Sequence, residues 1–140
     1  MTGDCRITAR VRSLAGTHGW AKAGVMQRGG LDAVAAHGFT CASLAQGVAF
    51  QRRTQTGGGS AHTAGPAWNA PVHVRLERRG GALTGWASRD GSVWTRIGTA
   101  AVTLPATAQA GIAVSSHADG QLAEAAFSDV VLEALVAGPG

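Results

Sequence analysis

The stretch VHVRLERRGGALTGWASRD, residues 72–90, decides the fold class of this chain. Apolar and polar side chains alternate over residues 72–79, and a period of two is typical of a strand with one buried side. The apolar members are Val72, Val74 and Leu76. Gly80-Gly81 then predicts a turn, and the alternation resumes over residues 82–89. This stretch therefore predicts two strands joined by a tight connection.

The same alternation extends outward over most of the chain. Further strands are predicted over residues 5–14, 19–28, 37–45, 47–55, 93–98, 100–104, 108–116 and 121–133. Asp90-Gly91 and Gln46-Gly47 predict turns between them, and Asp-Gly readily adopts the positive φ angles that a hairpin needs. The last segment also fits a helix ended by Gly138 and Pro139, and we prefer a strand. Residues 56–70 form the longest predicted irregular segment.

Length and composition favour one folded domain. The chain has 140 residues, of which 45% are hydrophobic and 14% charged, so it is neither a disordered segment nor a solvated helical rod. Its 21 glycines punctuate the sequence at the spacing of a sandwich of short strands. We predict a single all-β domain over residues 1–140, a two-sheet antiparallel jelly-roll sandwich with its core over residues 3–133 and a tail over residues 134–140.

Charge and hydropathy limit the possible partners. The net charge is +4, carried mainly by arginines that are spread along the chain rather than gathered with stacking aromatics. This distribution argues against a nucleic-acid partner. No window reaches the eighteen apolar residues of a membrane span, and no apolar leader opens the chain. We expect a soluble protein with no membrane partner, and a piece of a larger secreted protein fits the same features.

Metal and disulfide chemistry has little support in the sequence. Cys5 and Cys41 lack the spacing of a zinc site, and both a bridge between them and two buried thiols remain open. The histidines show no metal-ligand spacing; they are His18, His37, His62, His73 and His117. Several aspartates lie near turns, where they commonly accept backbone hydrogen bonds; they are Asp4, Asp90, Asp119 and Asp129. We expect no cofactor, although oxygens of this kind would also suit calcium.

Several runs together resemble a known family. They are Gly3-Asp4, residues 7–11, 20–26, 47–53, 74–76, 88–94, 111–117 and 127–130. In this order they resemble bacterial concanavalin A-like lectin/glucanase domains, and more closely the DUF1349-like modules of secreted proteins and glycoside hydrolases. The likeness covers residues 3–133. It implies two antiparallel sheets, one of them concave, with a ligand lying across the concave face.

Strand alternation nominates the residues of that face. On each strand we take the side whose residues a core would exclude. The predicted ligand-binding residues are Trp20, Lys22, Arg28, Arg52, His73, Arg75 and Trp86. If their strands adjoin, they form a groove floored by tryptophans and edged by arginines, and Trp68 in the long loop closes over it. Aromatic rings stack on sugars, and arginine binds carboxylates or hydroxyls. The alternative is that these tryptophans, and Trp94 above all, fill the core or its rim.

The predicted strands lack the residues that glycan-cleaving enzymes ordinarily use. No predicted strand has two carboxylates on one face, as glycoside hydrolysis requires. Residues 22–25, Lys-Ala-Gly-Val, resemble a phrase of polysaccharide lyases, but those enzymes usually employ a tyrosine and this chain has none. The leading prediction is a non-catalytic carbohydrate-binding or accessory module that binds a neutral or acidic polysaccharide on the concave sheet. The alternatives are a small glycan-active hydrolase or lyase using Arg52, Arg75 and His73, and a structural or protein-interaction sandwich.

Overall fold

The computed structural model describes residues 2–16, 19–116 and 122–135, and these residues form strands without any helix. The strands are β1 Cys5–Gly16, β2 Lys22–Arg28, β3 His37–Ser43, β4 Val48–Arg53, β5 Ser60–Ala64, β6 Val72–Arg79, β7 Ala82–Ser88, β8 Thr95–Ala101, β9 Gln109–Ser115 and β10 Ala123–Ala134. The prediction of an all-β chain is confirmed, including the choice of strand over helix for the last segment. Within the described part there is also no helix that could span a membrane.

The strands form two five-stranded antiparallel sheets that pack as a sandwich. The first sheet has the order β10-β1-β6-β7-β8, and the second has the order β5-β4-β3-β2-β9. All pairings between named strands are antiparallel. Each sheet turns one side toward the other and leaves an outer face, so the molecule has two outer faces on opposite sides.

The core lies between the sheets and is built from the alternating apolar residues. It includes Ile7, Ala9, Val11, Ala23, Val25, Val48, Phe50, Val72, Val74, Leu76 and Leu83. Phe50 is fully buried, and burying a phenylalanine stabilises a fold by roughly 1.5–3 kcal/mol. The strands opposite it carry Gly85 and Gly98, where an added Cβ would lie 3.0 Å and 3.4 Å from its ring. Glycines at these two positions therefore make room for the central aromatic side chain.

Two segments differ from the prediction. Residues 60–64, predicted as part of an irregular loop, form β5, which pairs with β4. Their sequence Ser-Ala-His-Thr-Ala has no apolar alternation, so the pairing arises from the partner strand rather than from the local pattern. The two strands predicted over residues 93–98 and 100–104 are replaced by the single strand β8, Thr95–Ala101. It runs through Gly98 and Thr99 without interruption.

The predicted turns are confirmed by their backbone. Gly47, Gly80 and Gly91 have φ angles of 77°, 58° and 81°, which side-chain-bearing residues rarely adopt. In the turn between β7 and β8, the Asp90 carboxylate accepts the backbone N–H groups of Ser92 at 2.8 Å and Val93 at 2.9 Å. These bonds hold the pKa of Asp90 down to about 2. The hydrogen bonds to Asp90 therefore fix the backbone of the residues just before β8.

The two cysteines are free and buried. The Cys5 thiol lies inside the sandwich and donates to Gln27 Oε1 at 3.1 Å. Cys41 belongs to the outer face of the second sheet, with Ala49 and Phe39, so the second sheet separates the two thiols. Burial raises the pKa of Cys41 to about 12. Of the two possibilities that the sequence left open, the structure therefore has the buried thiols.

Candidate functional site

The predicted ligand-binding residues do not share one groove. Trp20, Lys22 and Arg28 belong to the outer side of the second sheet, whereas His73, Arg75 and Trp86 belong to the outer face of the first. These faces point in opposite directions. The prediction of a single groove is wrong in this respect, because alternation gives the side of a strand but not the sheet that the strand joins.

Arg52 lies apart from both groups. It stands on β4 in the second sheet, but its guanidinium lies 5.2 Å from the centre of the Phe50 ring. It also donates to the Thr63 hydroxyl and, at 3.4 Å, to the Phe50 carbonyl. Arg52 therefore packs on the core side of its strand, where alternation places it together with Phe50.

The outer face of the second sheet has a floor of small and apolar side chains. Cys41 and Ala49 are at most 1% exposed although they point away from the main core. Gly24 lies beside them on β2, and a Cβ there would lie 2.0 Å from the Thr40 carbonyl oxygen. Because the floor residues are small, the larger side chains around them extend farther from the sheet. The floor therefore lies at the bottom of a depression.

The depression opens into a pocket of about 240 Å³, lined by Trp20, Lys22, Gln51 and His62. We call it the Trp20 pocket. The His62 ring meets the Trp20 ring edge to face, with centroids 5.3 Å apart. The Lys22 ammonium lies 5.3 Å from the centre of the same indole, close enough for a cation–π interaction. An aromatic surface, a cation, an amide and an imidazole thus converge on one opening.

His62 has a lowered pKa and a hydrogen bond that orients its ring. Burial lowers its pKa, and the charges of Lys22 and Arg52 lower it further. Gln51 Nε2 donates to His62 Nδ1 at 3.0 Å. A neutral ring that accepts at Nδ1 carries its proton on Nε2. His62 therefore offers an N–H donor.

The sequence missed Gln51 and His62 for different reasons. Gln51 alternates with Phe50 on β4, so the period of two places its side chain on the outer face. An uncharged amide, however, is a weaker sign of a binding site than an aromatic or charged side chain. His62 lies in β5, which the sequence placed in a loop. Without a strand there, no rule said which way His62 points.

Arg28 lies at the far end of the same face. With Met26, Gln109 and Gly111 it lines a second pocket of about 160 Å³. Its guanidinium donates to the backbone carbonyls of Gly30 and, at 2.6 Å, of Asp32. Arg28 thus fastens the loop after β2 to the edge of this face, and its role in ligand binding stays a prediction.

On the outer face of the first sheet, an aromatic residue covers an arginine. The Arg75 guanidinium lies 3.9 Å from the centre of the Trp94 ring, and its Nε donates to Thr8 Oγ1 at 3.0 Å. Trp94 also meets His73 edge to face at 6.4 Å. The sequence assigned Trp94 to the framework because it follows the Asp90 turn; that turn delivers it onto Arg75.

Trp68 does not line either pocket of the second sheet. It packs against the main core, and the Arg89 guanidinium lies 5.8 Å from the centre of its ring. With Asn69, Pro71 and Arg89 it lines an opening of about 560 Å³. The expectation that Trp68 closes over the predicted groove is not met, because its loop precedes β6 and lies beside the turn after β7.

The described aspartates and histidines do not gather into a metal site. Within residues 2–16, 19–116 and 122–135, no three His, Cys, Asp or Glu side chains are placed to hold a metal ion together. Asp4 accepts the Gly80 N–H at 2.8 Å and Asp90 caps its own turn. His18, His117 and Asp119 lie outside the described residues.

Comparison with known proteins supports the fold. No family model and no curated protein matches this sequence. A functionally unknown protein from Saccharomyces cerevisiae has a similar structure, with a TM-score of 0.71 and 17% identity over 98% of this chain and 72% of that one. A mutant of the GH43 protein BlXynB from Bacillus licheniformis matches with a TM-score of 0.62 and 11% identity, over 92% of this chain and 26% of that one. At these identities the likeness concerns the fold alone.

Proposed function

We propose that this chain is a non-catalytic carbohydrate-binding module that holds a polysaccharide on the outer face of the second sheet. The observation that carries the proposal is the Trp20 pocket, where an indole lies beside a hydrogen-bonding amide, a neutral imidazole and an ammonium group. Protein sites for small ligands combine apolar surface with a few placed polar groups in this way.

Each side chain has a task that suits a sugar. The Trp20 indole provides a flat apolar surface for the C–H face of a pyranose ring. His62 Nε2–H donates to a hydroxyl, and Gln51 Oε1 accepts from one. Lys22 adds positive charge beneath the indole, which favours a uronate over a neutral sugar. The pocket therefore fits acidic sugars best.

The face is long enough for an oligosaccharide. A strand rises about 3.3 Å per residue, so Lys22 in the Trp20 pocket and Arg28 in the second pocket lie roughly 20 Å apart along β2. The second pocket, with Gln109 and Arg28, lies toward the Arg28 end. A chain of several sugar units would follow β2 from one pocket to the other.

The pocket favours binding over catalysis. No carboxylate is among the residues that line either described pocket of this face, and glycoside hydrolysis ordinarily needs two. We therefore propose no enzymatic activity and no cofactor; calcium is tested directly in the binding assay.

The resemblance to concanavalin A-like, DUF1349-like modules supports the same role. We propose that the chain acts as such a module of a secreted bacterial protein, with a polysaccharide as partner.

The test is a binding titration against oligogalacturonate, xylan and β-glucan oligosaccharides by calorimetry, with and without calcium. We expect Trp20→Ala and Gln51→Ala to weaken binding of the preferred sugar at least tenfold. Gln55→Ala is the matched control, an exposed amide in the loop after β4 that lines neither pocket, and should change affinity less than threefold. Absence of binding to every sugar, or equal losses for Gln51→Ala and Gln55→Ala, would overturn the proposal.

The same samples test the alternatives. New reducing ends or unsaturated products after incubation with alginate, pectin, xylan or β-glucan would replace the binding role with an enzyme. A dimer in light scattering that is broken by Trp20→Ala and fails to bind sugars would replace it with a protein-interaction role.

A further inference from the structure

The outer face of the first sheet carries an excess of arginine. Its outward side chains include Arg6, Arg10, Arg75, Arg79 and Arg96, against Glu77 and Glu133. Both acids form ion pairs with other arginines. Glu77 lies 2.8 Å from Arg6 and 3.4 Å from Arg79, and Glu133 lies 3.5 Å from Arg6. In the part of the chain that the structure describes, neither Arg10 nor Arg75 has a carboxylate within ion-pair distance.

These two arginines are neighbours across the sheet. Thr8 pairs with Arg75 and Arg10 pairs with His73, so Arg10 and Arg75 lie diagonally on adjacent strands β1 and β6. Trp86 stands directly beside Arg75 on β7. Trp94 completes the group from above, stacked on the Arg75 guanidinium. We call these residues, with His73, the Arg75 cluster.

Two buried donors of the cluster lack an acceptor. Arg10 Nε and Trp86 Nε1 are both inaccessible to solvent and make no hydrogen bond with any described residue. Buried N–H groups without acceptors destabilise a protein and are rare. They flank β6 on the face where the uncompensated positive charge lies. An anionic oxygen atom brought to this face, with a small shift of the covering side chains, would supply an acceptor to these donors and compensate the positive charge.

We propose that the Arg75 cluster is a second glycan site, which binds the anionic groups, carboxylate or sulfate, of an acidic polysaccharide. An anion bridges the guanidinium groups of Arg10 and Arg75, since planar guanidinium groups bind such oxygens in a bidentate manner. The sugar ring lies against the Trp94 indole. The ligand class follows from the proposed function, but the site is on the opposite face and needs no residue of the Trp20 pocket.

Indole N–H signals in a ¹⁵N–¹H spectrum of the full chain test the proposal directly. Addition of a galacturonate hexamer or a heparin-derived hexasaccharide should shift the Trp86 Nε1–H signal, and neutral xylohexaose should leave it in place. The preferred hexamer identifies the anion as carboxylate or sulfate, and either one supports the site. An unmoved Trp86 signal at saturation with both acidic ligands would overturn it.

Variants separate the cluster from general positive charge. Arg10→Gln and Arg75→Gln should each weaken calorimetric binding at this site at least tenfold. Arg12→Gln, an exposed arginine on the same strand, makes the same charge change and should cost less than twofold. Trp86→Phe keeps a ring but removes the orphaned N–H, and should weaken binding about threefold in a protein that stays folded.

Failure of this site and of the Trp20 pocket can be told apart. Trp20→Ala should leave the Trp86 shift intact, and Arg10→Gln should leave binding at the Trp20 pocket unchanged. Equal losses for Arg12→Gln and Arg10→Gln, or equally tight binding of a single-stranded RNA dodecamer, would show a general polyanion surface and overturn the proposal.

Discussion

The two outer faces of this sandwich come from the same two-residue alternation but have opposite relief. On the second sheet, the central positions hold Gly24, Cys41 and Ala49, and the face sinks into pockets. On the first sheet, the central positions hold Arg75 and Trp86, and Trp94 lies on top of them. Side-chain volume at the centre of a sheet therefore decides whether its face is hollow or filled.

The difference also appears in how each face treats charge. On the second sheet, the charged side chains Lys22, Arg28 and Arg53 lie toward the ends of their strands, around an uncharged floor. The first sheet places them at the centre, where aromatic rings and Glu77 compensate part of the charge. A hollow uncharged floor suits a ligand that inserts, whereas a filled cationic face suits one that lies across it.

The largest expected effect comes from filling the floor of the second sheet. Gly24→Ala puts a Cβ 2.0 Å from the Thr40 carbonyl oxygen and 2.6 Å from the Cys41 Cα, so the free energy of unfolding should fall by about 3 kcal/mol or more. Gly111→Ala on neighbouring β9 is the control, since nothing lies within 4 Å of its Cβ. Urea denaturation measures both, and similar midpoints would contradict the tight floor.

A smaller loss should follow from removing an aromatic residue from the same face. Phe39 is 4% exposed although it points away from the main core, so Phe39→Ala should cost about 3 kcal/mol. Val131 faces outward on β10 of the first sheet and is 46% exposed, and Val131→Ala should cost less than about 0.5 kcal/mol. Equal losses would mean that the two faces are equally solvated.

On the first sheet, the free energy of unfolding should depend on charge more than on packing. Glu77→Gln removes the only ion-pair partner of Arg79 among the described residues and the nearer of the two partners of Arg6, and the Glu77 side chain is only 13% exposed. We expect a loss of about 1 kcal/mol, between the values for exposed and buried ion pairs. Glu133→Gln, whose side chain is 46% exposed, should cost less. Thermal denaturation at low and high salt measures both, and an unchanged Glu77→Gln variant would contradict the ion pair.

The smallest effect concerns pH and should arise on the second sheet. Burial lowers the pKa of His37, assisted by Arg53 and Arg28, and burial also lowers that of His62, assisted by Lys22 and Arg52. The unfolded chain then takes up protons first as the pH falls through 6.5, the ordinary pKa, so stability decreases toward the folded pKa values. Urea midpoints at pH 7.5 and 5.5 should differ in the parent and less in a His37→Gln, His62→Gln variant. A parent with equal midpoints would contradict the shift.

The sequence predicted local structure better than assembly. Residues 72–79 were predicted as a strand and form β6 with the same bounds, because one face buries Val72, Val74 and Leu76 and the other is polar. The strand over residues 60–64 was not predicted, because it is stabilised by its pairing with β4 and not by its own sequence pattern. The candidate site was predicted only in part for the same reason. Whether Trp20 and Arg75 share a face depends on which sheet each strand joins, and that choice is made by contacts distant in sequence.

β10 has a consequence for the behaviour of the protein in solution. It is an edge strand of twelve residues that pairs only with β1, and Val130, Val131 and Leu132 are about half exposed along it. Such an edge is a template for uncontrolled strand addition and aggregation at high concentration. The left-handed backbone of Asp129, with φ at 54°, interrupts the regular ladder beside this apolar run. A bulge and a charged side chain at this position hinder the regular pairing that an added strand would need.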